Sequence, residues 1–294
     1  MLFAFLPITS KGRAARLAAA ILLAAPAAAC GSFDINDYNP FGAEKYKMKV
    51  EPDVPASQIY DQGLARLAKE DGSGAAKKFV DLGKNYPDSD WSKKALLMTA
   101  YSQFKAGEYD NAEQSAEKYV KLYPESPDAA YAAYLEASSY YAQIPDISRD
   151  QDRTAKALEL FSQIVQKYPN SEYVNDSKFK IQVARDQLAG KEMSVGRFYL
   201  HRRNYVAAIN RFRNVLANYQ TTRHAEEALY RLTEAYLGLG VTSEAQTAAA
   251  VLGHNFPDSQ WYKDAYALLK GGGLEPEENK DSWISKIYHT VVPG

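Results

Sequence analysis

The sequence predicts an all-α solenoid of about five stacked helical hairpins plus a capping helix, on three observations. Five segments end alike: Asn85-Tyr86-Pro87-Asp88-Ser89, Leu122-Tyr123-Pro124-Glu125-Ser126, Lys167-Tyr168-Pro169-Asn170-Ser171, Asn218-Tyr219-Gln220-Thr221 and Asn255-Phe256-Pro257-Asp258-Ser259. Twelve positions before the third residue of each ending lies an alanine: Ala75, Ala112, Ala157, Ala208 and Ala245. Four positions beyond it comes Phe79, Ala116, Phe161, Phe212 or Ala249, and three further on Leu82, Tyr119, Ile164, Val215 or Leu252. Self-similarity at a spacing of tens of residues is the signature of stacked repeats.

Each observation has a physical cause. A small residue lets the second helix of a hairpin approach the first, and apolar residues at i, i+4 and i+7 share one helix face. Proline stops the helix and drives the residue before it out of the α region. Gly63 and Gly196 fall where the first helix of a repeat carries a small residue. Asp88, Ser126, Ser171 and Ser259 are candidate N-caps for the helices that follow. The pattern resembles the tetratricopeptide repeat, a pair of antiparallel helices, and here it recurs five times in register.

Taken from the start of the chain, residues 1–29 read as a signal peptide. There is no Asp or Glu before residue 34, Lys11, Arg13 and Arg16 form a positive region, and Leu17 to Ala25 is an apolar run too short to span a membrane. Ala27-Ala28-Ala29 precede Cys30, the chain's single cysteine, and Gly31-Ser32 follow. This resembles a bacterial lipobox, with Ala27 where leucine is usual. It implies a lipid on Cys30, although ordinary cleavage after Ala29 fits the same residues. Residues 30–53 read as a lipidated N-terminus and a flexible tether, spanning about 25 Å as a coil.

The repeat domain is expected over 54–270, with N-terminal repeats at 54–127, a middle repeat at 128–188 and C-terminal repeats at 189–270. The spacing of the endings, 37 positions from Pro87 to Pro124 and again from Gln220 to Pro257, widens in between. Ile144 to Arg153 reads as an inserted loop and Tyr173 to Leu188 as a long helix. A helix over about Gln260 to Lys270 would cap the stack. Residues 271–294 form a linker and tail: Gly271-Gly272-Gly273 breaks the helix, and Trp283, Ile284, Ile287, Tyr288 and Val291 then recur at helical spacing. That tail could dock a partner or fold back on the last repeat.

Charge and composition exclude several functions. With 35 basic against 36 acidic residues, the chain lacks the basic excess of a nucleic-acid binder. One cysteine and four scattered histidines make no metal site, and no cofactor is expected beyond the covalent lipid. Ser102-Gln-Phe-Lys105 and Ser115-Ala-Glu-Lys118 match S-x-x-K, the pattern of serine acyl enzymes, but lie on amphipathic helices without supporting motifs, so no catalytic residue is assigned. The informative charge feature is local. From Met193 through Ala225 there is no acidic residue, while Arg197, Arg202, Arg203, Arg211, Arg213 and Arg223 fall there with His201 and His224. Arginine's planar fork pairs carboxylates well. The window reads either as a docking face for an acidic protein surface or as a helix face neutralised by acids of neighbouring repeats.

Several longer stretches are similar to one family. They are Ile59-Tyr60, Arg149-Asp150 ahead of Ala157, Tyr168-Pro169-Asn170-Ser171-Glu172-Tyr173 with Asp176, and Glu192-Met-Ser-Val-Gly-Arg-Phe-Tyr199 running into Asn204-Tyr205 and Asn210-Arg211. They resemble the BamD family, the lipoprotein subunits of the outer-membrane β-barrel assembly (BAM) machinery, over nearly the whole mature chain. Departures are Ala27, Gln220 for proline, and the extended tail after Gly271. The resemblance implies a periplasmic scaffold at the outer membrane, anchored by its lipid and working beside the other BAM lipoproteins. It implies C-terminal repeats that bind the periplasmic domains of the barrel subunit BamA, with Asn210-Arg211 matching the contact segment; the acid-free window adds Arg197, Arg202, Arg203 and Arg213 as candidates. It also implies N-terminal repeats that capture unfolded barrel precursors, with Tyr60, Tyr101 and Phe104 as groove residues. The alternative is a periplasmic scaffold for cell-wall, cell-division or pilus and secretin assembly.

Overall fold

The computed structural model describes residues 54–87 and 89–291. The signal peptide, Cys30 and the tether lie outside the described residues, as does Asp88. Among the described residues there are twelve helices and no strand. Five hairpins come first: α1 (Ala56–Leu67) with α2 (Gly72–Asn85), α3 (Asp90–Lys105) with α4 (Tyr109–Leu122), α5 (Ala129–Ala142) with α6 (Asp152–Lys167), α7 (Val174–His201) with α8 (Tyr205–Asn218), and α9 (His224–Leu239) with α10 (Thr242–Asn255). The capping helix α11 (Gln260–Gly271) and a short α12 (Trp283–Val291) complete the chain. Partners within a hairpin pack together, and the first helix of each hairpin touches the first helix of the next, from α1 on α3 through to α9 on α11. This is a tetratricopeptide solenoid.

All three signature positions are buried in all five repeats. Burying an aromatic ring such as Phe79, Phe161 or Phe212 is worth about 1.5–3 kcal/mol over leaving it in water. The two glycines answer those rings. A Cβ on Gly63 would lie 2.5 Å from the Phe79 ring, and one on Gly196 would lie 2.4 Å from that of Phe212. The first helix therefore goes without a side chain where the second presents a phenyl group.

The aromatic residue of each ending is the helix C-cap. Before proline, at Tyr86, Tyr123, Tyr168 and Phe256, ψ lies between 54° and 61°. At Tyr219, where Gln220 replaces proline, it is 27°. The proline ring thus sharpens a stop that the repeat makes even without it. The caps differ in detail from the expected ones. Ser89 caps α3, accepting a hydrogen bond from the Ser92 amide at 3.2 Å, and Ser259 caps α11 as expected. Ser126 and Ser171 sit two residues ahead of the N-caps Asp128 and Tyr173 and accept from their amides, so each shapes the turn and the helix starts later.

The expected long helix over Tyr173 to Leu188 does not stop there. α7 runs for 28 residues, about 42 Å at 1.5 Å per residue, and the 188/189 boundary falls inside it. Gly190 does not break it because that position is buried where His224 and Ile147 approach. Ile181 packs with the α5–α6 core, whereas Ala189 and Met193 belong to the core of α8 to α10. The inserted loop between α5 and α6 reaches this helix: Gln187 Nε2 donates to the Pro145 carbonyl at 2.8 Å and Lys191 Nζ to that of Ser148 at 2.9 Å.

The tail folds back. Ile284 and Tyr288 are buried in the C-terminal core and α12 packs on α10. The strap before it is held by Gln246 Nε2 donating to the Glu275 carbonyl at 2.8 Å and by the Asn279 amide donating to Thr247 Oγ1 at 3.1 Å.

Candidate partner-docking site

A tight turn between α7 and α8 sets the geometry of the arginine-rich window. Arg202 is the C-cap of α7, Arg203 takes a left-handed backbone with φ 58°, and the Asn204 side chain caps α8 by accepting from the Ala207 amide at 3.3 Å. Five of the six expected contact residues divide between two depressions, and Arg202 lines neither. Asn210, Arg211 and Arg213 line a shallow hollow of about 500 Å3 with Glu192, Tyr199 and Asn214. Arg197 and Arg203 line a second one with His201, Tyr205, Arg231 and Glu234.

The arginines of the window divide into those that acids outside it neutralise and those without an ion pair among the described residues. Arg197 pairs with Glu227 at 2.9 Å, Arg211 with Glu192 at 3.3 Å and Arg223 with Asp186 at 2.9 Å. The neutralising acids come from outside the acid-free window. Arg202, Arg203 and Arg213 make no ion pair among the described residues. Two of them lie on rings instead: Arg202 over Phe198 at 4.4 Å and Arg213 over Trp283 at 4.9 Å. His224 adds no charge near neutral pH, because burial holds its imidazole below the usual range despite Asp186 nearby.

Two apolar residues that the charge pattern concealed are exposed on the same hairpin. Phe198 is 50% exposed and Val206 is 61% exposed, with Tyr199 against the Phe198 ring at 5.5 Å. An exposed aromatic beneath an arginine, as Phe198 lies beneath Arg202, is a frequent pairing at binding hot spots. The signal available in the sequence was Phe198 and Tyr199 in succession, since one helix cannot bury both on the same face.

Of the groove residues expected in the N-terminal repeats, Tyr101 and Phe104 pack against one cluster around Ala100, Ala116 and Leu135, and Tyr60 packs against another. Tyr60 meets Phe79 at 5.5 Å and Trp91 at 5.6 Å, beside Lys94, Met98 and Tyr119. Tyr101 lies ten residues along α3 from Trp91, about 15 Å away, and meets Tyr131 at 6.4 Å. Phe104 turns to Tyr109 at 5.5 Å. What the sequence missed is a row continuing from Tyr101 through Tyr131 to Tyr173, which stacks on Tyr134 at 4.8 Å. Burial, reinforced by the neighbouring phenols, pushes the Tyr131 hydroxyl well above its ordinary range, so it remains a neutral donor.

The two S-x-x-K serines sit differently. Ser102 is fully buried and its lysine, Lys105, lies over the Tyr101 ring at 5.8 Å; Ser115 donates to Gln103 Oε1 at 2.7 Å. Among the described residues no group of His, Cys, Asp and Glu is placed to hold a metal, and no helix is long and apolar enough to cross a membrane.

Residues 52–252 match the family model YfiO, described as an outer membrane lipoprotein. The outer membrane protein assembly factor BamD of Caulobacter vibrioides is 42% identical over 266 residues, covering 90% of this chain and 84% of that one. That of Rickettsia prowazekii is 44% identical over 217 residues, covering 74% and 86%. The chain belongs to the BamD family. A BamD of Neisseria meningitidis is 32% identical over 74% of this chain and 85% of its own. Among solved structures, a thermophilic TPR protein of Thermus thermophilus is similar at 19% identity, with a TM-score of 0.33 over 73% of this chain and 98% of that one. The match to BamD of Caulobacter vibrioides covers more of this chain than the family model does, and the family model stops at residue 252, ahead of α11 and α12.

Proposed function

We infer that this BamD-family chain acts as an outer membrane protein assembly factor, as a scaffold that binds proteins and catalyses nothing. In this reading a lipid on Cys30 holds it at the periplasmic face of the outer membrane, with no other cofactor. The α7–α8 face docks the periplasmic domains of the barrel subunit BamA, the other BAM lipoproteins assemble around it, and the aromatic row from the N-terminal into the middle repeat holds unfolded barrel precursors.

One observation carries the docking half: Asn210, Arg211 and Arg213 converge on one hollow together with Tyr199. An aromatic ring flanked by arginines suits a partner surface that presents carboxylates. The precursor half is supported by the row from Tyr101 to Tyr173, since amphipathic rings suit an extended aromatic-rich segment.

Co-purification tests the reading. Arg211→Glu leaves helicity intact and weakens capture of the barrel subunit by about tenfold or more, on the order of 1.4 kcal/mol. Undiminished capture by Arg211→Glu combined with Arg213→Glu rejects the α7–α8 face as the docking site. Mass spectrometry of the mature N-terminus shows an acylated Cys30; an unmodified thiol removes the anchor. An acylating active-site probe leaves Ser102 and Ser115 unlabelled.

A further inference from the structure

We propose that Trp283, on the returning tail, is a positioning residue for partner docking: it holds the Arg213 guanidinium at the α8 hollow without neutralising it, ready for a carboxylate of the barrel subunit's periplasmic domains. The proposal rests on the docking role of that hollow argued above.

The arginines lining the hollow and its neighbour are treated differently. Glu192 holds Arg211 and Glu227 holds Arg197, so an incoming carboxylate must compete with one already present. Arg213 has no carboxylate among the described residues, and its guanidinium lies 4.9 Å from the Trp283 ring centre. A guanidinium over an indole face is attracted to the ring's negative quadrupole, yet its N–H donors point outward in its own plane. Stacking therefore removes the rotamer freedom of a long side chain while leaving its charge and its fork available.

The ring is itself fixed. Trp283 Nε1 donates to the Tyr236 hydroxyl at 2.9 Å, which sets the plane of the indole. Ser282 Oγ donates to Glu244 at 2.7 Å and accepts from the Ile284 amide at 3.2 Å, and Ile284 is buried. The tail thus ties α12 to α9 and α10 and presents an aromatic plane to α8. Trp283 also packs against the C-terminal core beside Ile284 and Tyr288, which anchors the ring that faces Arg213.

A double-mutant cycle on the full chain tests this, reading the Kd for the purified periplasmic domains of the cognate barrel subunit, with circular dichroism to check the fold. Trp283→Ala weakens binding about tenfold, and in an Arg213→Ala background the same change costs less than about twofold, because the ring acts through that arginine. Trp283→Phe, which keeps a ring but not the Nε1 donor, loses about threefold or less. Tyr236→Phe removes only the hydroxyl and gives a similar small loss, again absent without Arg213. Should Trp283→Ala destabilise α12, the Phe variants carry the cycle alone. An effect of Trp283 that is equal in both backgrounds, or no effect in either, overturns the proposal. If Arg213→Ala is silent while Arg211→Glu weakens binding, docking stands and the positioning role falls; if both are silent, the docking reading falls as well.

Discussion

Phe79 in α2 and Phe212 in α8 occupy the same place in the repeat and are both fully buried, yet their surroundings differ. Phe79 belongs to a small cluster with Ala56, Ile59, Ala75, Leu82 and Ala95, separate from the clusters around Ala116 and around Phe161. Phe212 lies in one continuous core that runs from Ala189 on α7 to Tyr288 on α12. The same sequence signature thus builds three local cores at the N-terminal end and one shared core at the C-terminal end. In a stacked repeat, stability is close to a sum of unit and neighbour terms, so the first arrangement yields hairpins that open individually and the second a block that opens as a whole. The division suits the proposed roles: a compliant surface where unfolded precursors are held, and a rigid one where a folded domain docks.

The largest test is truncation of those two rings. Phe212→Ala should cost about 3–5 kcal/mol, with amide-exchange protection falling together across α8, α9, α10 and α12. Phe79→Ala carries a similar local cost, but the lost protection stays within α1, α2 and the α3 helix packed on them. Equal loss in α9 and α10 from both variants would break the comparison.

Adding a methyl group at the facing glycines is a smaller disturbance. Gly196→Ala and Gly63→Ala each press a Cβ into a phenyl ring and should cost about 1–3 kcal/mol. Gly196→Ala should be the more costly, read as a lower urea midpoint, because the Phe212 ring has less room to yield inside the continuous core. The reverse order would show that the N-terminal clusters are the stiffer ones.

The smallest effect concerns a carboxyl in the N-terminal half. Burial in α5, with Glu117 also near, pushes Glu136 up to about 7 from an ordinary 4.5. The folded chain then binds more protons at this group than the unfolded chain does between those values, so its share of stability falls as pH rises from about 4.5 to 7 and is constant above. Glu136→Gln should raise the melting temperature at pH 8 and do little at pH 4.5. A benefit equal at both pH values would show that the carboxyl is not held neutral.

The repeats were legible because they depend on contacts within a hairpin. Ala208, Phe212 and Val215 advertise a face, and the proline of each ending advertises a stop. The N-cap positions of Ser126 and Ser171 were displaced by two residues, because a hydroxyl can satisfy a turn as well as a helix end. The continuity of α7 was hidden: the pattern gave a helix to Leu188, and only the burial of Ala189, Gly190 and Met193 shows the same helix entering the next repeat. The proposed docking face was half legible. The arginines stood out as an acid-free window, but Glu192 and Glu227, which pair with two of them, lie outside it in sequence. Trp283 over Arg213 joins residues seventy positions apart, which no local pattern reveals.

The 28-residue α7 is held near its midpoint, where Gln187 and Lys191 are bonded to the α5–α6 loop. It is held elsewhere too: Arg197 pairs with Glu227 of α9 at 2.9 Å, and Ala189 and Met193 are buried in the C-terminal core. One end carries Phe198 and Tyr199; the other begins next to Tyr173, in the aromatic row. The helix therefore works as a spacer: at 1.5 Å per residue it sets Tyr173 and Phe198 about 38 Å apart along its axis, and any single client that touches both must span that length.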